Sequence, residues 1–149
     1  MEDLGEAHHT AWAALLKSHA RLLERINRQV TAEGELPLEW YDVLLTLENA
    51  PDRRMRMSEL AEAVLFSRSG LTRLVDRLEK AGLLRREAVP TDRRGAYAVL
   101  TPQGEETRRK AWPVYRNAIA QNFARRLSEE EAGTLADLLR RALPSEDER

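Results

Sequence analysis

The sequence predicts a mainly α-helical fold with a small β-hairpin wing, in which a winged helix-turn-helix lobe is flanked by N- and C-terminal helices. Three observations carry that expectation. Between Ser67 and Gly104 a basic amphipathic helix, a short strand, a Pro-Thr-Asp-Arg-Arg-Gly tip and a second strand follow one another. Both ends of the chain carry apolar residues at three- and four-residue steps, the spacing of a helix face. Charge is also unevenly placed. Between Arg53 and Lys110 there are 14 Lys or Arg against 8 Asp or Glu, whereas the rest of the 149 residues carries 10 against 17.

The elements follow in order. From His8 to about Ala32, Trp12, Leu15, Leu16, His19, Leu22, Leu23, Ile26 and Val30 mark an amphipathic helix of about seven turns. Gly34 and Pro37 end it, and Trp40, Val43, Leu44 and Leu47 outline a second helix from Leu38 to Asn49. Ala50-Pro51-Asp52 breaks the chain. Ser58 is placed to cap a short third helix, with Glu59 and Glu62 near its start, where the helix dipole favours anions. A fourth helix beginning at Ser67 carries the stripe Leu71, Leu74, Val75 and Leu78, with Arg73, Arg77 and Lys80 off it and Gly82 as its stop. Leu83 to Val89 and Ala96 to Leu100 read as two strands around the tip. Thr101-Pro102 opens a fifth helix running through Trp112, Tyr115, Ile119 and Phe123, which Pro113 kinks or divides. Ser128 and Glu131 form a capping box for a last helix that buries Leu135, Leu138, Leu139 and Leu143.

Length, composition and charge limit the function classes. A chain of 149 residues has one domain's worth of length and needs no disulfides to bury a core. Cysteine is absent, which removes disulfides, thiolate ligands and thiol redox sensing. No apolar run approaches the roughly 20 residues that span a bilayer, and the acidic start Met-Glu-Asp-Leu-Gly-Glu is unlike a secretory signal, so no membrane partner is expected. The formal net charge of -1 conceals a basic middle and acidic ends. A polyanion facing the middle is compatible with that pattern, because salt screens the distant acids. No nucleophile elbow, phosphate-cradling glycine loop or His-Glu-x-x-His stands in the sequence, so no carrier of catalysis is visible.

A helix presented after a tight turn fits a DNA major groove and reaches base edges with its N-terminal residues. Those are Ser67, Arg68, Ser69, Gly70, Thr72 and Arg73, with Arg77 one turn on. Small residues permit close backbone approach to phosphates, and the arginines suit either guanine or phosphate oxygens. The tip adds Asp92, Arg93 and Arg94, and an arginine on such a hairpin enters the minor groove, where the potential is most negative. Amphipathic helices at both termini present more apolar surface than one small lobe covers. A second copy of the chain is the natural cover, and two lobes then permit two-fold readout.

The runs Leu71-Thr72-Arg73-Leu74-Val75-Asp76-Arg77-Leu78-Glu79-Lys80-Ala81-Gly82-Leu83, Pro90-Thr91-Asp92-Arg93-Arg94 and Leu100-Thr101-Pro102-Gln103-Gly104 resemble the MarR (multiple antibiotic resistance regulator) family of bacterial transcriptional regulators. The resemblance covers nearly the whole chain. It implies a cytoplasmic regulator, nucleoid-associated when bound to DNA and commonly a repressor. It also implies a homodimer built from residues 8–36 and 102–143, and a winged DNA-binding lobe over residues 38–101 of one MarR-like domain. Ser67 to Arg77 would be the recognition helix and Asp92, Arg93 and Arg94 the wing tip. Asp76 would pair with a wing arginine, Arg94 first, and orient the hairpin.

Regulators of this kind often release DNA when a small aromatic or anionic effector fills a crevice beside the lobe. Trp12, His19, Trp40 and Tyr41 are the residues the sequence offers for one. His8, His9 and His19 are spaced poorly for a shared metal, and neither metal nor cofactor is expected. Without cysteine, the chain also lacks the means of the family's peroxide-sensing branch. The rival reading is a winged-helix module that docks protein and binds no specific DNA.

Overall fold

The computed structural model describes residues 4–65 and 69–144. The element order is α1 (Glu6–Ala32), α2 (Leu38–Glu48), β1 (Arg54–Arg56), α3 (Met57–Ala63), α4 (Leu71–Lys80), β2 (Leu84–Val89), β3 (Asp92–Leu100), α5 (Pro102–Asn122) and α6 (Glu129–Ala142). The chain divides into two compact units. One comprises Asn27–Tyr115, and the other is built from the first part of α1 with the chain from Arg116 onward.

The central unit has a continuous apolar core. Val43, Leu44 and Leu47 from α2, Leu60 from α3, Leu71, Leu74, Val75 and Leu78 from α4, and Leu83, Leu84, Ala98 and Leu100 around the sheet are buried together. The α2 and α4 residues among them are the apolar stripes read from the sequence, and removing this core from water is the main favourable term holding the three helices to the sheet. The sheet is antiparallel with order β1-β3-β2. Register places Leu84 opposite Leu100 and Arg86 opposite Ala98, while Arg54 faces Val99 and Arg56 faces Tyr97. Alternate residues therefore point to the core and away from it. The outward row carries Arg54, whose guanidinium lies 4.6 Å from the centre of the Tyr97 ring.

Several boundaries differ from the sequence reading. β1 is a third strand, unmarked in the sequence because Arg-Met-Arg is too short to show alternation. α3 starts at Met57 with Arg56 at its cap, so Ser58 lies inside the first turn. Glu59 still serves the cap, accepting from the Arg56 N–H at 3.3 Å. The wing turn is shorter than expected, because β3 already begins at Asp92. Pro113 does not divide α5, which runs as one helix from Pro102 to Asn122.

The junction of wing and α5 is tightly built. The α4 chain end is closed by Gly82 at φ +76°, with the Leu83 N–H donating to Leu78 O at 3.0 Å, the 6→1 bond of a glycine helix stop. Thr101 then donates its hydroxyl to Gly82 O at 2.7 Å and accepts from the Gly104 N–H at 3.0 Å. Gly104 sits so close to this turn that a Cβ there would fall 1.9 Å from Leu83 O. The Leu-Thr-Pro-Gln-Gly run is thus a joint between the first turn of α5 and the end of α4.

In the terminal unit the Ser128 capping box is present: Ser128 Oγ accepts from the Glu131 N–H at 3.1 Å and Glu131 accepts from the Ser128 N–H at 2.8 Å. The expected burial along this unit is not achieved within one chain. Trp12, Leu15, Leu16, Leu138, Leu139 and Leu143 are exposed, Trp12 by 57% and Leu143 by 70%. Amphipathicity specifies which face seeks cover, but the described residues do not supply that cover.

Candidate nucleic-acid interface

The fourth helix, α4, is set by the division of its two faces. Leu71, Leu74, Val75 and Leu78 are buried, and this fixes Thr72, Arg73, Arg77 and Lys80 on the exposed side. The helix has no acidic residue in its first turn and ends with Arg77 and Lys80. Its open face therefore presents cations and a hydroxyl, the groups that hydrogen-bond phosphate and base oxygens.

The sequence reading began this helix at Ser67, but it begins at Leu71. Ser69 and Gly70 form the turn ahead of it, with Gly70 at φ +81° as the residue before the first helical one. That left-handed position suits glycine, and it ends the extension of the helix toward its N-terminus. Ser67 and Arg68 lie outside the described residues.

At the wing tip, Arg93 and Arg94 are exposed. Asp92 has a structural part in presenting them: its Oδ1 accepts from the Arg94 N–H at 3.0 Å, closing an Asx-type turn. A carboxylate aimed at phosphates would be repelled, so shaping the tip is the chemistry available to Asp92.

Asp76 does pair with a hairpin arginine, but the partner is Arg86 on β2 rather than Arg94. The Arg86 guanidinium lies 2.6 Å from Asp76 and 3.0 Å from Glu79, and the Arg86 N–H donates to Glu79 at 2.8 Å. Burial alone would lower the basicity of Arg86, yet the hydrogen bonds and charges of Asp76 and Glu79 outweigh it and hold the group above its ordinary value. The result is a charged clamp between α4 and the wing strand β2. Arg94, at the far end of the hairpin, is left with its guanidinium at the tip. The signal for Arg86 was available in the pattern Leu84-Arg86-Ala88, where a charge occupies the inward row of a strand.

The four candidate effector residues do not form one group in either unit. Trp12 and His19 are exposed on the part of α1 that belongs to the terminal unit. Trp40 packs against the core of the central unit, which is the role of an ordinary core tryptophan. Tyr41 belongs to an aromatic cluster that sequence reasoning missed, with its ring centre 4.9 Å from Tyr115 and 6.4 Å from Trp112. Arg108 binds this cluster, donating to the Tyr41 hydroxyl at 3.2 Å and to Glu48 at 3.1 Å. Burial, followed by the charges of Tyr41 and Asp42, raises the Tyr115 phenol above its usual value. Among the described residues, no three of His, Asp or Glu gather in a way that would hold a metal ion, and no helix is long and apolar enough to cross a membrane.

Sequence and structure comparisons agree with this geometry. The MarR family model matches residues 35–95, the segment that carries α2, α3, α4 and most of the wing. The transcriptional repressor MprA of Escherichia coli K12 is 33% identical over 129 residues, spanning 87% of this chain and 72% of MprA. Sco3205, a MarR family transcriptional regulator from Streptomyces coelicolor crystallised in complex with DNA, is 33% identical. It superposes with a TM-score of 0.81 over 98% of this chain and 94% of its own. AbsC, a MarR family regulator of the same organism, is 34% identical with a TM-score of 0.77, covering 93% of each chain.

Proposed function

The chain belongs to the MarR family of transcriptional regulators, and from that premise we propose that it is a homodimeric repressor. In this reading it binds a pseudo-palindromic operator in the cytoplasm and leaves it when a small aromatic or anionic effector binds. One observation carries the DNA-binding part. Arg73 and Arg77 are exposed along a helix whose other face is locked in the core, and Arg93 and Arg94 stand at the tip of a hairpin clamped to that helix through Arg86. Two rigidly joined cationic probes fit a major groove and its neighbouring minor groove.

The homodimer is supported by the exposed apolar residues of the terminal unit, Trp12, Leu15, Leu16, Leu138, Leu139 and Leu143. Such surface is covered in a stable assembly. Residues 8–36 and 102–143 are the proposed dimerisation helices and residues 38–101 the proposed DNA-binding lobe. Half-sites would then lie about one helical turn, roughly 10 base pairs, apart. For the effector, Tyr41 in the central unit is the proposed contact, and Trp112 beside it supplies an optical probe.

Fluorescence-anisotropy titration of a labelled fragment from the protein's own upstream region tests the reading. Tight, sequence-dependent binding that weakens steeply with salt is expected. Absence of binding at low salt would contradict it and favour a protein-docking module. Addition of phenolic and other aromatic acids is expected to quench tryptophan emission and release the DNA together.

A further inference from the structure

Register gathers arginines on the side of the sheet that points away from the core. Arg54 on β1 and Arg85 on β2 flank Val99 on β3, while Arg56 and Glu87 flank Tyr97, and directly paired residues share a face. The alternate residues Leu84, Ala98 and Leu100 pack in the core with α4, so these two rows are turned away from that helix. They hold three arginines and one glutamate, a surplus of two positive charges. Tyr97 organises two of the arginines: its ring centre lies 4.6 Å from the Arg54 guanidinium and 6.0 Å from that of Arg56. Glu87 is shared, 2.6 Å from Arg85 and 3.6 Å from Arg54, and among the described residues no carboxylate pairs with the Arg56 guanidinium. A guanidinium stacked on a ring is held in place while its N–H edge stays open to an anion.

We infer that Arg54 and Arg56, held by Tyr97, form a second phosphate-binding surface that grips the duplex backbone beyond the groove entered by the wing tip. The inference rests on the DNA-binding reading. Continuity of the wing carries the assignment: Tyr97 stands three residues behind Arg94 on β3, roughly 10 Å along the strand. The minor groove is about 7.5 Å deep, so with Arg94 at its floor the level of Tyr97 lies outside the phosphate rim, and long arginine side chains span the difference. Because this face is turned away from α4, the phosphates it meets border the minor groove on the side remote from the major groove that α4 enters. Such contacts carry no sequence information; they lengthen the site and add affinity for any sequence.

Phosphate-ethylation interference with the unmodified protein, on an operator fragment with long flanks, is expected to show interfering phosphates beyond the wing's minor groove on the side away from the α4 tract. Their absence would overturn the inference whether or not any variant folds. In the double variant Arg54→Gln/Arg56→Gln those signals are expected to vanish and affinity for operator and random DNA to fall by similar factors, at least tenfold. The slope of log affinity against log salt should become shallower by about 1.8, from about 0.9 per lost phosphate contact. On a duplex trimmed at the wing's groove, parent and variant are expected to bind within about threefold of each other. Arg54→Lys/Arg56→Lys keeps both charges and is expected to return the slope to the parental value. A folded glutamine variant with an unchanged slope, or with the same loss on trimmed and long duplexes, would refute contacts in the flank. If the unmodified protein binds its operator and only these signals fail, the DNA-binding reading stands without this surface; no binding at all would overturn both.

Discussion

Gly104→Ala adds a single methyl at the joint between wing and α5, and the structure leaves no room for it. The new Cβ would lie 1.9 Å from Leu83 O and 2.8 Å from Leu100 Cδ1, whereas real Cβ atoms essentially never come within 3.0 Å of such neighbours. Leu83 O is backbone in the glycine stop of α4, so relief requires a main-chain shift of roughly 1 Å or more, beyond the reach of a rotamer change. That shift opens the hydrogen bonds Thr101 makes to Gly82 O and Gly104 N–H. Overpacking costs about 1–3 kcal/mol and each lost hydrogen bond about 1 kcal/mol. Replacing glycine inside a helix returns about 1 kcal/mol. The net expectation is a loss of about 3 kcal/mol, or roughly 6–12 °C in Tm for a chain of this length.

Gly133→Ala provides the control. Gly133 also lies inside a helix, but nothing stands within 4 Å of its would-be Cβ, so the same change should stabilise by up to about 1 kcal/mol. Urea denaturation followed by circular dichroism reads both variants, at fixed protein concentration because a dimer's midpoint depends on it. A midpoint for Gly104→Ala at or above the parent's would refute the close approach.

Three further outcomes are expected. Arg86→Ala removes the clamp on Asp76 and Glu79 and should weaken operator binding about tenfold while costing only about 1 kcal/mol of stability, because the pairs are partly exposed; unchanged binding would show that the hairpin needs no tether. Arg94→Ala should reduce operator affinity at least tenfold, about 1.4 kcal/mol, with an unaltered circular dichroism spectrum, and parental affinity would remove Arg94 from the interface. The raised Tyr115 phenol contributes stability that is present below the ordinary tyrosine pKa of about 10 and lost as pH rises through the higher folded value. Tyr115→Phe should therefore flatten the alkaline decline of the unfolding midpoint, and an identical decline in both proteins would contradict that assignment.

What the sequence made legible was what periodicity and local chemistry encode. The stripe Leu71, Leu74, Val75 and Leu78 both located α4 and dictated that Arg73 and Arg77 face outward. Ser128 with Glu131 marked the start of α6 because the cap is satisfied within four residues. Long-range relations were less visible. Arg86 belongs to Asp76 and Glu79 because strand register and helix packing bring them together, a matter that local pattern does not set. Asp42 in α2 is buried and accepts from the Leu65 N–H at 2.7 Å, a contact across 23 residues that no local pattern announces. β1 carries too few residues to show a period, and the exposed Leu138 and Leu139 show that a helix can announce an apolar face without naming what covers it.

The proposed operator complex has a geometric signature that DNase I footprinting on the upstream fragment reads directly. Protection of a two-fold symmetric tract, with half-site centres about 10 base pairs apart, is the expected pattern. Protection without dyad symmetry, or none even at low salt, would contradict paired winged lobes on DNA.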